Sequence, residues 1–500
     1  MKKFLVLVVM LMTGITAVKA QSYTGDALVY SRPQLNGTPR SLGVAGAFSS
    51  VGADMSSFAT NPAGIGLYRS SEISVSAGFN AGRSESNYLG SNTSKGATTG
   101  LFNHVGVVWT KGIKSKNAWG ATSTNTISMG MGYSRLADFN NTRFFKGTNN
   151  STSFGTSYTN LVNAVGANPE DPSNYSADVY MAYLGYLINY DTALGYYTSP
   201  IQLPVYQTGT IKTKGGLDEV NLTLAGNIND QWYLGVDLGI PILRYNTTFD
   251  YMEETTNDSS DFQNFSIRNQ IGETGFGLNG KFGLIYRPTP WVRIGIAYHT
   301  PSFMAIGESY TSDMQTNFAS FYSTPAITAQ PFNYRFKMPM KGIAGASFYF
   351  KQYGFFTVDY EFLNYAANKF TFPNEYETYS NEVNATNKRT LAFGHNIKAG
   401  VEGAIKTIRL RAGYSFMSGS YKSSANIKPD DVRHNVTAGF GYRGKHLFVD
   451  VAYVYSLYKN NYEPYTDIDN LQPVAESRNN RHGIVIGVGY KFGNVERTAQ

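Results

Sequence analysis

From Ser71 onward the chain alternates apolar and polar positions with a period of two, in one segment after another. In residues 125–136, Ile127, Met129, Met131 and Tyr133 fall on one face and Ser128, Gly130, Gly132 and Ser134 on the other. Residues 407–417 set Ile408, Leu410, Ala412, Tyr414 and Phe416 against Arg409, Arg411, Gly413 and Ser415. The same spacing predicts strands over 71–81, 101–110, 125–136, 217–228, 231–248, 271–287 and 291–306. It predicts seven more over 333–350, 353–366, 389–405, 407–417, 433–443, 446–458 and 481–492.

The links between these strands alternate in length. Short ones fall at 111–124, 229–230, 288–290, 351–352, 406 and 444–445. Long ones fall near 82–100, 137–216, 249–270, 307–332, 367–388, 418–432 and 459–480. An even strand count with short turns at one end and long loops at the other is the organisation of a transmembrane β-barrel. A soluble sandwich has no reason to segregate its loops in this way. The expected fold is therefore all-β: a 14-stranded antiparallel barrel over 71–492, with 138–215 as a long extracellular loop holding helices near 157–166 and 176–188.

The faces carry a further expectation. An Arg or Lys on the lipid face at mid-membrane costs roughly 2–4 kcal/mol. Lys281, Arg293, Asp359, Glu361, Lys398, Glu402, Arg409, Arg411 and Asp450 should therefore point into the lumen. Trp109, Trp232, Trp291, Tyr298, Tyr360, Tyr442 and Tyr490 lie near the ends of the apolar bands, where interfacial aromatic girdles form.

Residues 21–70 lack this alternation. Within them Leu42–Tyr68 is rich in small residues and holds no Lys or Arg, with Asp54, Ser56 and Ser57 as candidate helix caps. The many glycines on the inward faces leave room for a folded element inside a barrel. Leu42–Tyr68 is read as that element, a plug or hatch. Residues 1–20 read as an export signal: Lys2 and Lys3, an apolar run Phe4–Met12, and Val18-Lys19-Ala20 before a mature start at Gln21. Residues 493–500 form an expected periplasmic tail.

Composition narrows the function. There is no cysteine, so disulfides, thiol chemistry and cysteine-based metal sites are excluded. The 37 Tyr, 31 Phe and 51 Gly coexist with a mean hydropathy of −0.27, as expected where every second strand residue faces a polar lumen. The formal charge is +7, three of its lysines lie in the signal, and no basic patch points to nucleic acid. No GxSxG element is present, and no enzyme chemistry is expected.

The elements Gly43-x-Ala45-Gly46-Ala47, Asp54 and Asn61-Pro62-Ala63-Gly64, with the strand Trp291–Pro301 (WVRIGIAYHTP), resemble the FadL-type outer-membrane transporters. The resemblance implies a fourteen-stranded barrel in a Gram-negative-type outer membrane, plugged by an N-terminal hatch. It implies passive uptake of hydrophobic small molecules, long-chain fatty acids or in some members aromatic compounds, with no cofactor. Outer-membrane lipid and the barrel-assembly machinery follow as partners. The chain departs from the family in two ways: eight residues follow Phe492, and 138–215 matches no family motif. The family's lateral opening depends on a strand kink, for which Gly130 or Gly132 offers a place.

These readings single out candidate residues. Asn61, Pro62, Ala63 and Gly64 form a turn that either holds the hatch or shifts when ligand binds. Phe48, Met55, Phe58 and Leu67 either line an apolar pocket or pack the hatch against the wall. Lys281, Arg293, Arg409 and Arg411 either meet a ligand carboxylate or pair with lumenal acids. Two rival functions stay open: a haem-binding receptor, using one of six scattered histidines, and a general porin or adhesin barrel.

Overall fold

The computed structural model describes residues 23–116, 122–171, 174–257, 259–425, 431–469 and 471–493. The export signal, the mature start at Gln21 and all of the tail but Gly493 lie outside them. A helix over 23–31 leads into the hatch, a compact run of turns and two 3₁₀ helices, Met55–Phe58 and Pro62–Leu67. The barrel follows.

Its strands are β1 (Ser71–Tyr88), β2 (Ser91–Lys116), β3 (Thr122–Asp138), β4 (Val205–Ile228), β5 (Trp232–Thr255) and β6 (Phe262–Thr289). β7 runs in two pieces, Val292–His299 and Ser302–Phe318, and β8 likewise, Phe332–Met338 and Lys341–Tyr349. Then come β9 (Gly354–Asn364), β10 (Phe393–Ile405), β11 (Ile408–Met417), β12 (Arg433–Arg443), β13 (Leu447–Tyr462) and β14 (Ala475–Phe492). Each pairs antiparallel with its neighbour, and β1 pairs with β14 from Ser71↔Phe492 to Asn87↔Glu476, closing a 14-strand barrel. Closure leaves no free edge in the hydrocarbon except where a seam opens. No helix of the described residues is long and apolar enough to cross a membrane.

The outer face is apolar, as the alternation requires. On β5, Trp232, Leu234, Val236, Leu238, Ile240 and Ile242 face out, and then Arg244 and Asn246 end the belt. On β6, Phe276, Leu278 and Phe282 are all more than half exposed, part of a contiguous apolar band that suits lipid. Short turns close the opposite end. Asn229 and Asp230 take positive φ of 53° and 59°, the backbone that a two-residue hairpin needs.

Several strands run well past the belt. β1 and β2 continue to a turn at Leu89-Gly90, where a link over 82–100 was expected, and β5 and β6 consume most of 249–270. Above the membrane both faces can be polar, so the ladder persists without an apolar period. The outer mouth is capped by helices Phe154–Val165 and Ala177–Leu184, which bury Phe154, Tyr158, Val162 and Val179 against Tyr88, Phe145, Tyr251 and Phe265.

Glu253 sits inside this cap, beyond the belt. Its Oε1 accepts from Phe154 N (2.8 Å), Gln207 Nε2 (2.8 Å) and Tyr251 OH (2.7 Å). Burial pushes its carboxyl up to about 7, and those hydrogen bonds offset only part of the rise. A carboxyl raised in the folded state gives a stabilising contribution that is complete below its unfolded value and lost as pH climbs through about 7. Hydrogen exchange in 154–165 should therefore quicken between about pH 5 and pH 8 after correction for intrinsic rates. Glu253→Gln, which keeps the acceptor, should flatten that dependence.

Candidate functional site

The hatch is built from caps and small residues. Asp54 caps the first 3₁₀ helix by accepting from Ser56 N (2.9 Å) and also takes a bond from Thr38 Oγ1 (2.6 Å). Asn61 caps the second by accepting from Ala63 N (3.1 Å), with Pro62 at its first position. The Asn61 amide then donates to Ser49 O (2.7 Å) inside the hatch and to Leu284 O (3.2 Å) on the wall. Gly64 accepts from Ala53 N (2.9 Å), and a Cβ there would collide with Ser57. The Asn61–Gly64 turn is thus the rivet between two halves of the hatch and β6.

The wall receives the hatch through glycines. A Cβ on Gly400 would stand 2.5 Å from Val44 Cβ, and one on Gly413 2.5 Å from the Val44 carbonyl carbon. Gly130 and Gly132 face the Phe58 ring at 2.5–2.6 Å by the same measure, and Gly235 and Gly283 face Pro62 and Ala63. These alternate glycines on adjacent strands are the cleared floor on which the hatch backbone rests. The β2–β3 ladder runs unbroken through Gly130 and Gly132 and ends higher, at His104↔Ser134.

Charged side chains fasten the hatch. Asp359 on β9 accepts from Phe48 N (2.9 Å), Ser49 N (2.8 Å) and Ser49 Oγ (2.7 Å). Lys281 on β6 pairs with Glu219 and Asp237 and donates to Phe58 O (3.0 Å). Arg293 donates to Val51 O (2.8 Å) and to Tyr349 OH (2.8 Å). His299 Nε2 donates to Thr60 O (2.7 Å), and Thr437 Oγ1 receives Ala45 N (3.1 Å). Arg411 lies under Gly43, clamped between Glu402 (2.6 Å) and Asp450 (2.8 Å). Arg409 lies at the periplasmic turn, donating to the carbonyls of Lys406 (2.8 Å) and Ile408 (2.9 Å), with Glu402 3.8 Å away.

The apolar candidates separate. Phe48 packs with Val44, Val51 and Phe355; Met55 and Phe58 pack with Ile65 and Val108; Leu67 packs with Tyr233 and Ile285. All four are buried between hatch and wall. Beyond the hatch a packed apolar cluster draws on other residues: Phe139, Leu243, Tyr245, Met304, Phe336 and Phe370, with Ala27 and Tyr30 of helix 23–31 among them. Sequence reasoning did not find these. The signal available was the inward register of long strands once they rise above the hatch, where apolar residues replace glycine.

The histidines are dispersed. His104 and His299 lie against the hatch, and His395, His434 and His482 pair with Tyr360, Tyr414 and Tyr453 on the outer face. His446 sits at the β12–β13 turn, its ring 3.3 Å from the Lys491 carbonyl. Among the described residues no group of three His, Cys, Asp or Glu could hold a metal ion.

A plugged barrel of this kind has relatives. Residues 206–493 match the family described as "Outer membrane protein transport protein (OMPP1/FadL/TodX)". The chain belongs to this family. It resides in the outer membrane, as the belt and closed barrel require. Among solved structures it is similar to a Pseudomonas aeruginosa FadL homologue, with 12% identity, 92% of this chain and 99% of that one covered, and a TM-score of 0.52. It is also similar to the CymD monoaromatic hydrocarbon channel (12% identity, 92% and 99% covered, TM-score 0.51). The P. putida toluene transporter TodX matches at 10% identity, again over 92% and 99%, with a TM-score of 0.51. At such identities the likeness speaks for the fold. No curated protein sequence matches the chain.

Proposed function

We propose that this FadL/TodX-family barrel admits apolar compounds, long-chain fatty acids or related molecules, and that the hatch and the wall, not a water-filled pore, decide their route. The observation that carries the reading is the apolar cluster around helix 23–31. Beyond a tightly seated hatch lies a packed aromatic and aliphatic cluster, and a short helix, 23–31, contributes Ala27 and Tyr30 to it. An apolar ligand that displaces this helix gains roughly 25 cal/mol for each Å² it buries. Two of the similar solved structures are named as a monoaromatic hydrocarbon channel and a toluene transporter, which supports the class of ligand.

The wall supports an exit. Above His104↔Ser134, β2 keeps only β1 as a ladder partner, while Phe79 and Phe102 at that height still face outward to lipid. An unpaired strand edge in hydrocarbon is costly, so a seam left there is a place where the wall can part. We read the β2–β3 seam as the route by which ligand passes sideways, with the Asn61–Gly64 turn transmitting hatch movement.

The test is uptake of labelled oleate and labelled toluene by cells whose outer membrane otherwise excludes them. Wild-type protein should raise uptake of at least one above cells lacking it. A variant deleted for 42–67 should lose selectivity between these compounds and hydrophilic solutes. Uptake equal to the control, with folded barrel present in the membrane, would sink the reading.

A further inference from the structure

Three of the six histidines are exposed on the outer face, in one arrangement repeated three times. His395, His434 and His482 lie on the descending strands β10, β12 and β14. Each stands opposite a residue eight places into the neighbouring ascending strand: Phe362 on β9, Phe416 on β11 and Tyr455 on β13. Two places below those partners lie Tyr360, Tyr414 and Tyr453, whose hydroxyls reach Nδ1 of the histidines at 2.7, 2.8 and 2.7 Å. Eight residues of a strand tilted by about 40° climb about 20 Å, so the imidazoles form a level row near the outer edge of a belt about 25 Å tall. Beneath them the outward columns are apolar: Ile397 and Val401, Val436 and Phe440, Ile486 and Val488.

An aromatic girdle needs only Tyr or Trp; an imidazole adds a directed donor. A phenol is the stronger hydrogen-bond donor and an unprotonated ring nitrogen the stronger acceptor. Each Tyr therefore donates to Nδ1 and fixes the proton of the neutral ring on Nε2, where a protonated ring carries one as well. Among the described residues no acceptor meets any of the three Nε2 atoms. The row thus presents three N–H donors to the lipid side, about 10 Å apart across the ladders. Above His482 the outer surface turns cationic. Lys459 and Arg478 are direct cross-strand partners on β13 and β14, a like-charge pairing that destabilises a bare sheet. Neither forms an ion pair among the described residues, and the nearby Glu85 pairs with Arg83 (3.4 Å). With Arg83 they line an outward groove of about 490 Å³, three cations against the two carboxylates of Glu85 and Glu476.

We infer that the outer face of β9–β14 is a docking strip for outer-leaflet lipids with phosphate-bearing headgroups. The Nε2–H groups of His395, His434 and His482 donate to headgroup oxygens, and Lys459 and Arg478 add charge beside the third. A phosphate is the fitting acceptor, because its charge strengthens each N–H bond and settles the opposed cations. The acyl chains then lie along the apolar columns beneath each histidine. The strip lies on the outside of the wall, away from the lumen, and holds whether or not the barrel admits apolar compounds.

Native mass spectrometry of the full barrel, released from micelles holding equal amounts of dioleoyl phosphatidic acid and dioleoylglycerol, tests this. The two lipids share their acyl chains and differ in the phosphate. Wild type should retain phosphatidic acid over dioleoylglycerol by at least about tenfold, the value of one hydrogen bond to a charged group. The triple variant His395→Phe/His434→Phe/His482→Phe keeps an aromatic ring at each place. It should lose most of that preference while dioleoylglycerol retention stays unchanged. The single His482→Phe and the pair Lys459→Gln/Arg478→Gln should each show a smaller loss. His446→Phe, at the periplasmic turn, should behave as wild type. Heat-modifiable gel migration reports that each barrel is folded. Equal retention of the two lipids by wild type, or a preference that survives in the folded triple variant, would overturn the docking strip.

Discussion

Arg411→Leu should be the most destabilising single substitution in the lumen, lowering barrel stability by roughly 3–5 kcal/mol. The Arg411 side chain has 0% exposure and stands between Glu402 at 2.6 Å and Asp450 at 2.8 Å. Removing it leaves two buried carboxylates facing each other across an apolar side chain. Asp450 retains Arg443 at 2.6 Å, but Glu402 keeps only longer contacts, Arg409 at 3.8 Å and Arg40 at 3.9 Å. The effect also reaches the hatch, because the aliphatic stem of Arg411 supports Gly43. Urea unfolding of the lipid-reconstituted protein should show the lowered midpoint. Adding Glu402→Gln and Asp450→Asn to Arg411→Leu should recover much of the loss, because the cost lies in the unpaired charges. A midpoint within experimental error of wild type would show that the cluster is solvated and not a clamp.

Gly400→Leu combined with Gly413→Leu should expel the hatch while leaving the barrel closed. Each new side chain would enter space held by the Val44–Ala45 backbone. That backbone is tied to the same patch of wall, since Thr437, the cross-strand partner of Gly413, bonds Ala45 N at 3.1 Å and Gly43 O at 3.2 Å, so making room for the new side chains breaks both bonds. Overpacking costs about 1–3 kcal/mol per site, and two adjacent sites compete with everything that seats the hatch at this end. The lipid-facing residues of β10 and β11 are untouched, so the wall has no reason to open. Hydrogen exchange over 42–67 reads the result: protected in wild type, near solvent rates in the variant. Gly403→Leu is the control, because Gly403 faces outward with nothing within 4 Å.

The distribution of apolar residues explains how much of this was legible. Lipid imposes a period of two, so the membrane-crossing parts of all the strands can be read from residues such as Ile408, Leu410 and Tyr414. Where β1 and β2 leave the membrane, water bathes the outer face and Ser, Thr and Asn replace the apolar period, so a continuous hairpin reads as a link. Helix Glu377–Thr390 was unreadable for a related reason: its mean hydropathy is polar and it offers no apolar stripe. The hatch was legible through what its seat lacks, since inward glycines require a tenant. Its fasteners were only half legible. That Lys281 and Asp359 face inward follows from alternation, but their partners depend on strand stagger. Glu219 and Asp237 meet Lys281 only because β4, β5 and β6 pair in one register. The β2 bulge, where Asn103 has no residue opposite it on β1, shows only as a slip of phase: outward Phe102 precedes outward Val105 by three residues, too faint a break to read in one short strand.

The hatch should act as a seal. Ionic current through single barrels in a planar bilayer examines that directly, comparing wild type with the Gly400→Leu/Gly413→Leu variant. Wild type should insert without steady current, and the variant should give stepwise current with each insertion. Open-pore current from wild type, equal to that of the variant, would contradict a sealed lumen and return the protein to the porin reading.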